Sequence, residues 1–107
     1  MSTYTPDRWV IVRLWDDKDS YNKVFSGSYG GFAGSDTWKL SSAIVNTMED
    51  DEKYTMTCES GSIYVLYKQA YGMSSYMHSI YSNWAAQSEK PGADVKIEVL
   101  KEYVRTL

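Results

Sequence analysis

Arg8 to Trp15 reads RWVIVRLW, and this octapeptide decides the fold. It is dominated by β-branched and aromatic side chains, which suit a pleated strand. Successive strand side chains point to opposite faces. Val10, Val12 and Leu14 therefore share one face, and Trp9, Ile11, Arg13 and Trp15 share the other. Both faces are largely apolar, which predicts a central strand covered on both sides.

Outward from this strand, Asp16-Asp17-Lys18-Asp19-Ser20 reads as a polar turn. Tyr21 to Ser28 (YNKVFSGS) completes a hairpin with it. Residues 1–7 read as a frayed lead-in. The segment from Gly30 to Asp36 is a glycine-punctuated loop, and Thr37 to Leu40 resumes extended structure. Ser41 to Met48 continues it, with Ser41-Ser42 either bending one strand or separating two. Glu49-Asp50-Asp51-Glu52 is a charged turn. In the next strand Tyr54, Met56 and Cys58 oppose Thr55 and Thr57, the alternation of a half-buried antiparallel strand. After a turn at Ser60-Gly61-Ser62, Ile63 to Lys68 is a further strand, apolar on both faces.

At Gly72 the period changes. Met73, Tyr76, Met77, Ile80, Tyr81 and Trp84 recur at helical spacing. Ser74 or Ser75 is placed to cap the helix start, and Lys90-Pro91-Gly92 ends it. Val95, Ile97 and Val99 then alternate with Lys96 and Glu98 as a last strand. The expected fold is α+β: an antiparallel sheet of five to six strands in the order β-β-β-β-β-α-β, one helix packed on a face, with a partly closed, barrel-like sheet as the main variant. No repeat or linker divides residues 1–107, so a single domain is expected.

One helix covers only part of such a sheet. The uncovered face must curl on itself, face solvent or meet a partner. Trp9, Ile11 and Trp15 share a face, and an exposed apolar patch of that kind marks an interface. They are the expected interface residues, for a protein partner or a homodimer.

Composition narrows the chemistry. Ten Tyr, four Trp and two Phe stand beside a single His, His78, and a single Cys, Cys58. This set cannot build a Cys/His zinc site in one chain. A lone Cys with no signal-type N-terminus fits a reducing cytoplasm. The apolar stretches are too short to span a bilayer. The net charge of -3 argues against binding a phosphate backbone. No catalytic residue, metal or cofactor is expected.

Two motifs are candidates for ligand or partner contact. The first is the loop Tyr29-Gly30-Gly31-Phe32-Ala33-Gly34-Ser35-Asp36 with Trp38 after it. Phosphate-binding glycine loops lead into a helix N-terminus, whereas this one leads into a strand. It reads as a wide turn, with Tyr29, Gly30, Gly31, Phe32, Gly34, Ser35, Asp36 and Trp38 as its contact residues. The second is Ser60 and Ser62, which could present hydroxyls but lack a nucleophile-elbow frame. The acidic turns around Asp16 and Asp50 lack a calcium-loop pattern and read as solvated hairpin tips. Tyr64, Tyr67, Lys68 and Tyr71 interleave aromatic and basic residues, yet they read as strand residues before they read as a base-stacking platform.

The segments YGGFAGSDTWKLSSAI (Tyr29 to Ile44) and SGSIYVLYKQAYGMSSY (Ser60 to Tyr76) resemble small uncharacterised proteins of tailed bacteriophages. The resemblance covers about half the chain and transfers no catalytic residue. It implies a small accessory protein made in an infected bacterial cell, of a kind that often acts on host factors. The expected function is therefore non-enzymatic: binding of a protein partner, host factor or self, through the aromatic sheet face and the Gly30–Trp38 loop. The alternative is a small-molecule binder using the loops at 29–38 and 60–62.

Overall fold

The computed structural model describes residues 2–29, 37–90, 92 and 95–99. The Gly30–Asp36 loop, and with it the expected contact residues Gly30, Gly31, Phe32, Gly34, Ser35 and Asp36, lies outside them.

Among the described residues, seven strands, one α-helix and a short 3-10 turn at Lys68–Ala70 follow in the order β1 (Thr3–Tyr4), β2 (Arg8–Trp15), β3 (Ser20–Ser28), β4 (Thr37–Glu49), β5 (Lys53–Cys58), β6 (Ile63–Tyr67), the 3-10 turn, α1 (Ser75–Ser88) and β7 (Lys96–Val99). They form one sheet in the order β1-β6-β5-β4-β3-β2-β7. All pairings are antiparallel except β1 with β6. The α+β class, the single helix before the last strand and the antiparallel hairpins agree with the sequence. The strand count exceeds the expected five to six because residues 1–7 are not a frayed lead-in. Thr3 and Tyr4 pair with Ile63 and Tyr64, and the Tyr4 and Tyr64 rings lie 5.1 Å apart.

The sheet is open, yet it curls, and β4 is the reason. Its first half pairs with β3 and its second half with β5. Between the pairs Phe25–Leu40 and Lys23–Ala43, Ser41 and Ser42 together oppose the single residue Val24. Between Ile44–Cys58 and Asn46–Thr57, Val45 is the extra residue. Each is a β-bulge, which bends and over-twists the strand that carries it. Ser41-Ser42 therefore bends one strand rather than separating two. The half-sheet of β5 and β6 is carried over the half-sheet of β2 and β3, and their inner faces close a core of Trp9, Ile11, Val24, Tyr54, Met56, Cys58, Tyr64 and Leu66.

This curl corrects the expected interface. Trp9 and Ile11 are each 0% exposed, so neither is available to a partner. Burying two such side chains contributes about 1.5–3 kcal/mol each, which favours closure over an open aromatic face. The Trp9 indole N–H is also satisfied internally, donating to the carbonyl of Tyr67 at 2.7 Å. Trp15, at the far end of β2, remains half-buried, with the Arg13 guanidinium 5.0 Å from its ring centroid.

The opposite face of β2 and β3 takes the helix. Val10, Val12, Phe25 and Met77 form the second core, with Met73, Ile80, Tyr81 and Trp84 packed against it. The helical stripe read from the sequence therefore does face the sheet, except Tyr76, which is exposed. Ser74 caps the helix, its hydroxyl accepting the amide N–H of Met77. Gly27, in β3, is what lets α1 come so close: a Cβ there would lie 2.6 Å from Met77 Sδ. At the other end, the Lys96 ammonium donates to the carbonyl of Ser88 at 2.8 Å, a favourable place for a cation beside the helix C-terminus.

Candidate functional site

The helix-side face of the sheet is only partly covered, and what it leaves open is the candidate site. On β4, Trp38 and Leu40 are two residues apart and so share a face. Trp38 lies opposite Gly27 and Leu40 opposite Phe25. Trp84, two turns into α1 beyond Met77, packs on both aromatic rings: its centroid is 4.9 Å from that of Phe25 and 5.3 Å from that of Trp38. Phe25 is buried beneath them, whereas Trp38 stays 41% exposed.

Beside this cluster, where α1 ends, Leu14, Leu40, Trp84, Val95 and Ile97 line an open groove of about 280 Å³, with Gln87 and Ser88 at its edge. Apart from that edge its lining is apolar. Leu14 and Ile97 pair across β2 and β7 and are only partly buried where α1 ends at Ser88.

The same face continues into a polar depression of about 390 Å³ lined by Tyr21, Lys23, Ser42, Ala43, Glu59 and Ser60. The register fixes the continuity. Leu14 pairs with Tyr21, Val12 with Lys23, and Lys23 with Ala43, and directly paired residues of antiparallel strands share a face. The Tyr21 phenol is pushed above its ordinary range, foremost by the carboxylate of Asp19, with desolvation, Asp16 and Glu59 adding to it.

The expected serines are used within the fold. The Ser60 amide donates to the Ser42 hydroxyl at 3.0 Å, the Ser42 hydroxyl donates to that of Ser60 at 3.1 Å, and the Ser60 hydroxyl donates to that of Ser62 at 3.3 Å. This chain ties the β5–β6 turn to the bend of β4. Ser60 is brought beside Tyr21 and Lys23 in the polar depression. Tyr29 is exposed, and its amide donates to the Asp7 carboxylate at 2.9 Å.

Among the described residues no group of three or more His, Cys, Asp or Glu could hold a metal ion. His78 is exposed on α1. Cys58 is buried in the core between the half-sheets, and burial pushes its thiol above the ordinary range. The carboxylate of Asp16 accepts the amides of Lys18 and Asp19, and that of Asp50 accepts the amides of Glu52 and Lys53, so both acidic turns are internally hydrogen-bonded hairpin tips. Of the interleaved aromatic and basic residues, Tyr64 is buried, Tyr71 packs edge-on against Trp9, and Lys68 pairs with Glu49 at 2.6 Å, leaving Tyr67 as the exposed ring. No described helix is long and apolar enough to cross a membrane.

Among the described residues, Trp38 is thus the expected contact residue that joins a larger apolar surface. Leu14, Leu40, Trp84, Val95 and Ile97 complete it; pattern reading placed Trp84 on the stripe packed against the sheet and read the other four as strand residues. The available signal was Trp84, at the end of the helical stripe, where the stripe outruns the strand residues beneath it. No protein-family model, no curated protein and no solved structure matches the chain.

Proposed function

We propose that this is a non-enzymatic binding protein whose partner surface is the groove between the end of α1 and the sheet, with Trp38 and Trp84 as its aromatic wall. The observation that carries the reading is Trp38 packed edge-on against Trp84 while 41% exposed, beside an apolar groove of about 280 Å³. Half-exposed tryptophans next to an apolar depression are the side chains that dominate binding energy at protein interfaces. The occupant is a protein segment that seats apolar side chains in the groove. The resemblance to small phage proteins supports a bacterial host protein as the source of that segment, with a second copy of this chain as the other protein source.

The small-ligand alternative draws less support, because Ser60 and Ser62 spend their hydroxyls on each other and on Ser42. A photo-crosslinking residue at position 38, compared with one at Thr57 on the outer face of β5, tests the proposal in the expressing bacterium. One reproducible protein adduct from position 38, absent from position 57 and lost on Leu40→Asp with the fold intact, is the expected result. Equal adducts at both positions, or none at 38, would overturn it.

A further inference from the structure

The groove is apolar, but its open end is not neutral. Leu14 is followed by Trp15 and then by the β2–β3 turn, which carries Asp16, Asp17 and Asp19 against Lys18. Leu14 is also paired with Tyr21, which lines the adjoining depression together with Glu59 and Lys23. Four carboxylates, Asp16, Asp17, Asp19 and Glu59, therefore lie on this side, against the ammonium groups of Lys18, Lys23 and Lys96, the last paired with Trp15 and bonded to the Ser88 carbonyl at the groove edge. None of the four makes an ion pair among the described residues. The same carboxylates push the Tyr21 phenol above its ordinary range, Asp19 foremost, with Asp16 and Glu59 adding to it. Tyr21 is itself 46% exposed, and an exposed ring beside carboxylates is a favourable seat for a guanidinium or ammonium group.

We infer that the segment bound by the groove is basic as well as apolar: it seats aliphatic or aromatic side chains against Leu14, Leu40 and Trp84 and presents Arg or Lys to Tyr21, Asp19 and Glu59. The inference rests on the groove being the partner surface, and adds the partner's charge. Apolar burial supplies most of the affinity. The carboxylates supply discrimination and a faster encounter, because complementary charge steers association and like charge is rejected. An acidic segment of the same shape is disfavoured by repulsion at the open end. Lys23 works against the preference, so its removal strengthens it.

The test uses the full chain, labelled with nitrogen-15, and three capped hexapeptides. All three carry leucine at alternate positions, with arginine, glutamate or serine between. Amide shifts of Leu14, Tyr21 and Ile97 report occupancy. The arginine peptide is expected to bind about tenfold tighter than the glutamate peptide, a difference that a few exposed charge pairs can supply. The gap should close in about 1 M salt, where the screening length falls to roughly 3 Å. Asp19→Asn with Glu59→Gln should remove the preference, and Lys23→Gln should widen it, while unchanged spectra elsewhere show that the fold is kept. If the three peptides bind the groove equally, or the glutamate peptide binds best, the charge inference fails and the groove reading stands. If none shifts the groove amides, both fail.

Discussion

The hydroxyl of Ser41 accepts the amide N–H of Val24 at 2.8 Å, and both residues are buried. This bond sits at the bulge where Ser41 and Ser42 oppose Val24. A bulge interrupts the ladder, so the Val24 amide needs another acceptor, and Ser41 provides it. The same hydroxyl donates to the carbonyl of Ser42 at 2.6 Å, so it is satisfied in both directions. Ser41→Ala leaves a buried donor without a partner, which costs about 1–3 kcal/mol. Urea denaturation should show that loss as a lower midpoint with unchanged slope. A midpoint within error of the wild type would mean that the bend does not depend on this hydroxyl.

That bend also explains what the sequence made legible and what it did not. Periodicity identified which residues share a face: Tyr54, Met56 and Cys58 are buried while Thr55 and Thr57 are only half-buried, as their alternation demands. The helix and its Ser74 cap were legible for the same reason, being set by residues within one or two turns. What covers each face was not legible. Trp9 and Ile11 were apolar and therefore needed cover, but the cover comes from Met56 and Leu66 through a curl set by two bulges in β4. Ser41-Ser42 was legible as a bend or a break, but nothing local in it or in Val45 fixes which half-sheet the bend brings over the other. The strand β1 escaped notice because two residues hold no period. The groove escaped because it is a gap between elements, and its residues look like ordinary core.

Gly27 and Met77 should show opposite signs of coupling. A Cβ at position 27 would fall 2.6 Å from Met77 Sδ and 2.8 Å from its Cγ. Methionine is flexible, but Met77 is fully buried, so the side chain has no free space to retreat into. Gly27→Ala should therefore cost about 1–3 kcal/mol by overpacking. In a Met77→Ala background the same change fills space and should cost far less. Additive losses in this double-mutant cycle would show that α1 shifts bodily away instead.

Gly72 combines two constraints. Its φ is +138°, and an added Cβ would meet the Arg8 Nη2 atom. Its amide donates to the carbonyl of Trp9 at 2.8 Å, and the Arg8 guanidinium donates to the carbonyl of Tyr71 at 3.3 Å, which pins the chain after β6 to the start of β2. Gly72→Ala is expected to destabilise by about 1–3 kcal/mol through backbone strain. Arg8→Ala should relieve the steric part but not the strain. If the double variant recovers Gly72→Ala fully, the φ imposes no cost of its own.

Cys58 offers a probe of how the two half-sheets open. Its thiol is 1% exposed, and desolvation pushes its pKa up against a smaller opposing hydrogen bond to Ser41. Thiol reagents attack the thiolate, so both burial and the raised pKa protect it. Native protein should resist alkylation, with a rate that rises with urea in step with global unfolding. A fast rate in buffer that is insensitive to urea would mean that β5 detaches locally.

Asp50 governs the response to acid at the β4–β5 turn. Its carboxylate accepts from the Lys53 ammonium at 2.9 Å and from the amides of Glu52 and Lys53. These bonds, the one to the Lys53 side chain foremost, lower its pKa from 3.8 to about 2. A carboxyl whose pKa is depressed on folding stabilises the native state above its unfolded pKa and loses that contribution as pH falls through the folded value. The window is therefore from about pH 4 down to about pH 2. The turn is solvent-exposed, so screening makes the effect small. Asp50→Asn can still accept the two amides but removes the charge. Across this window the wild type should lose stability more steeply than Asp50→Asn, the two curves should converge at the acid end, and added salt should narrow the gap. Parallel curves would mean that the carboxylate is paired no better in the folded chain than in the unfolded one.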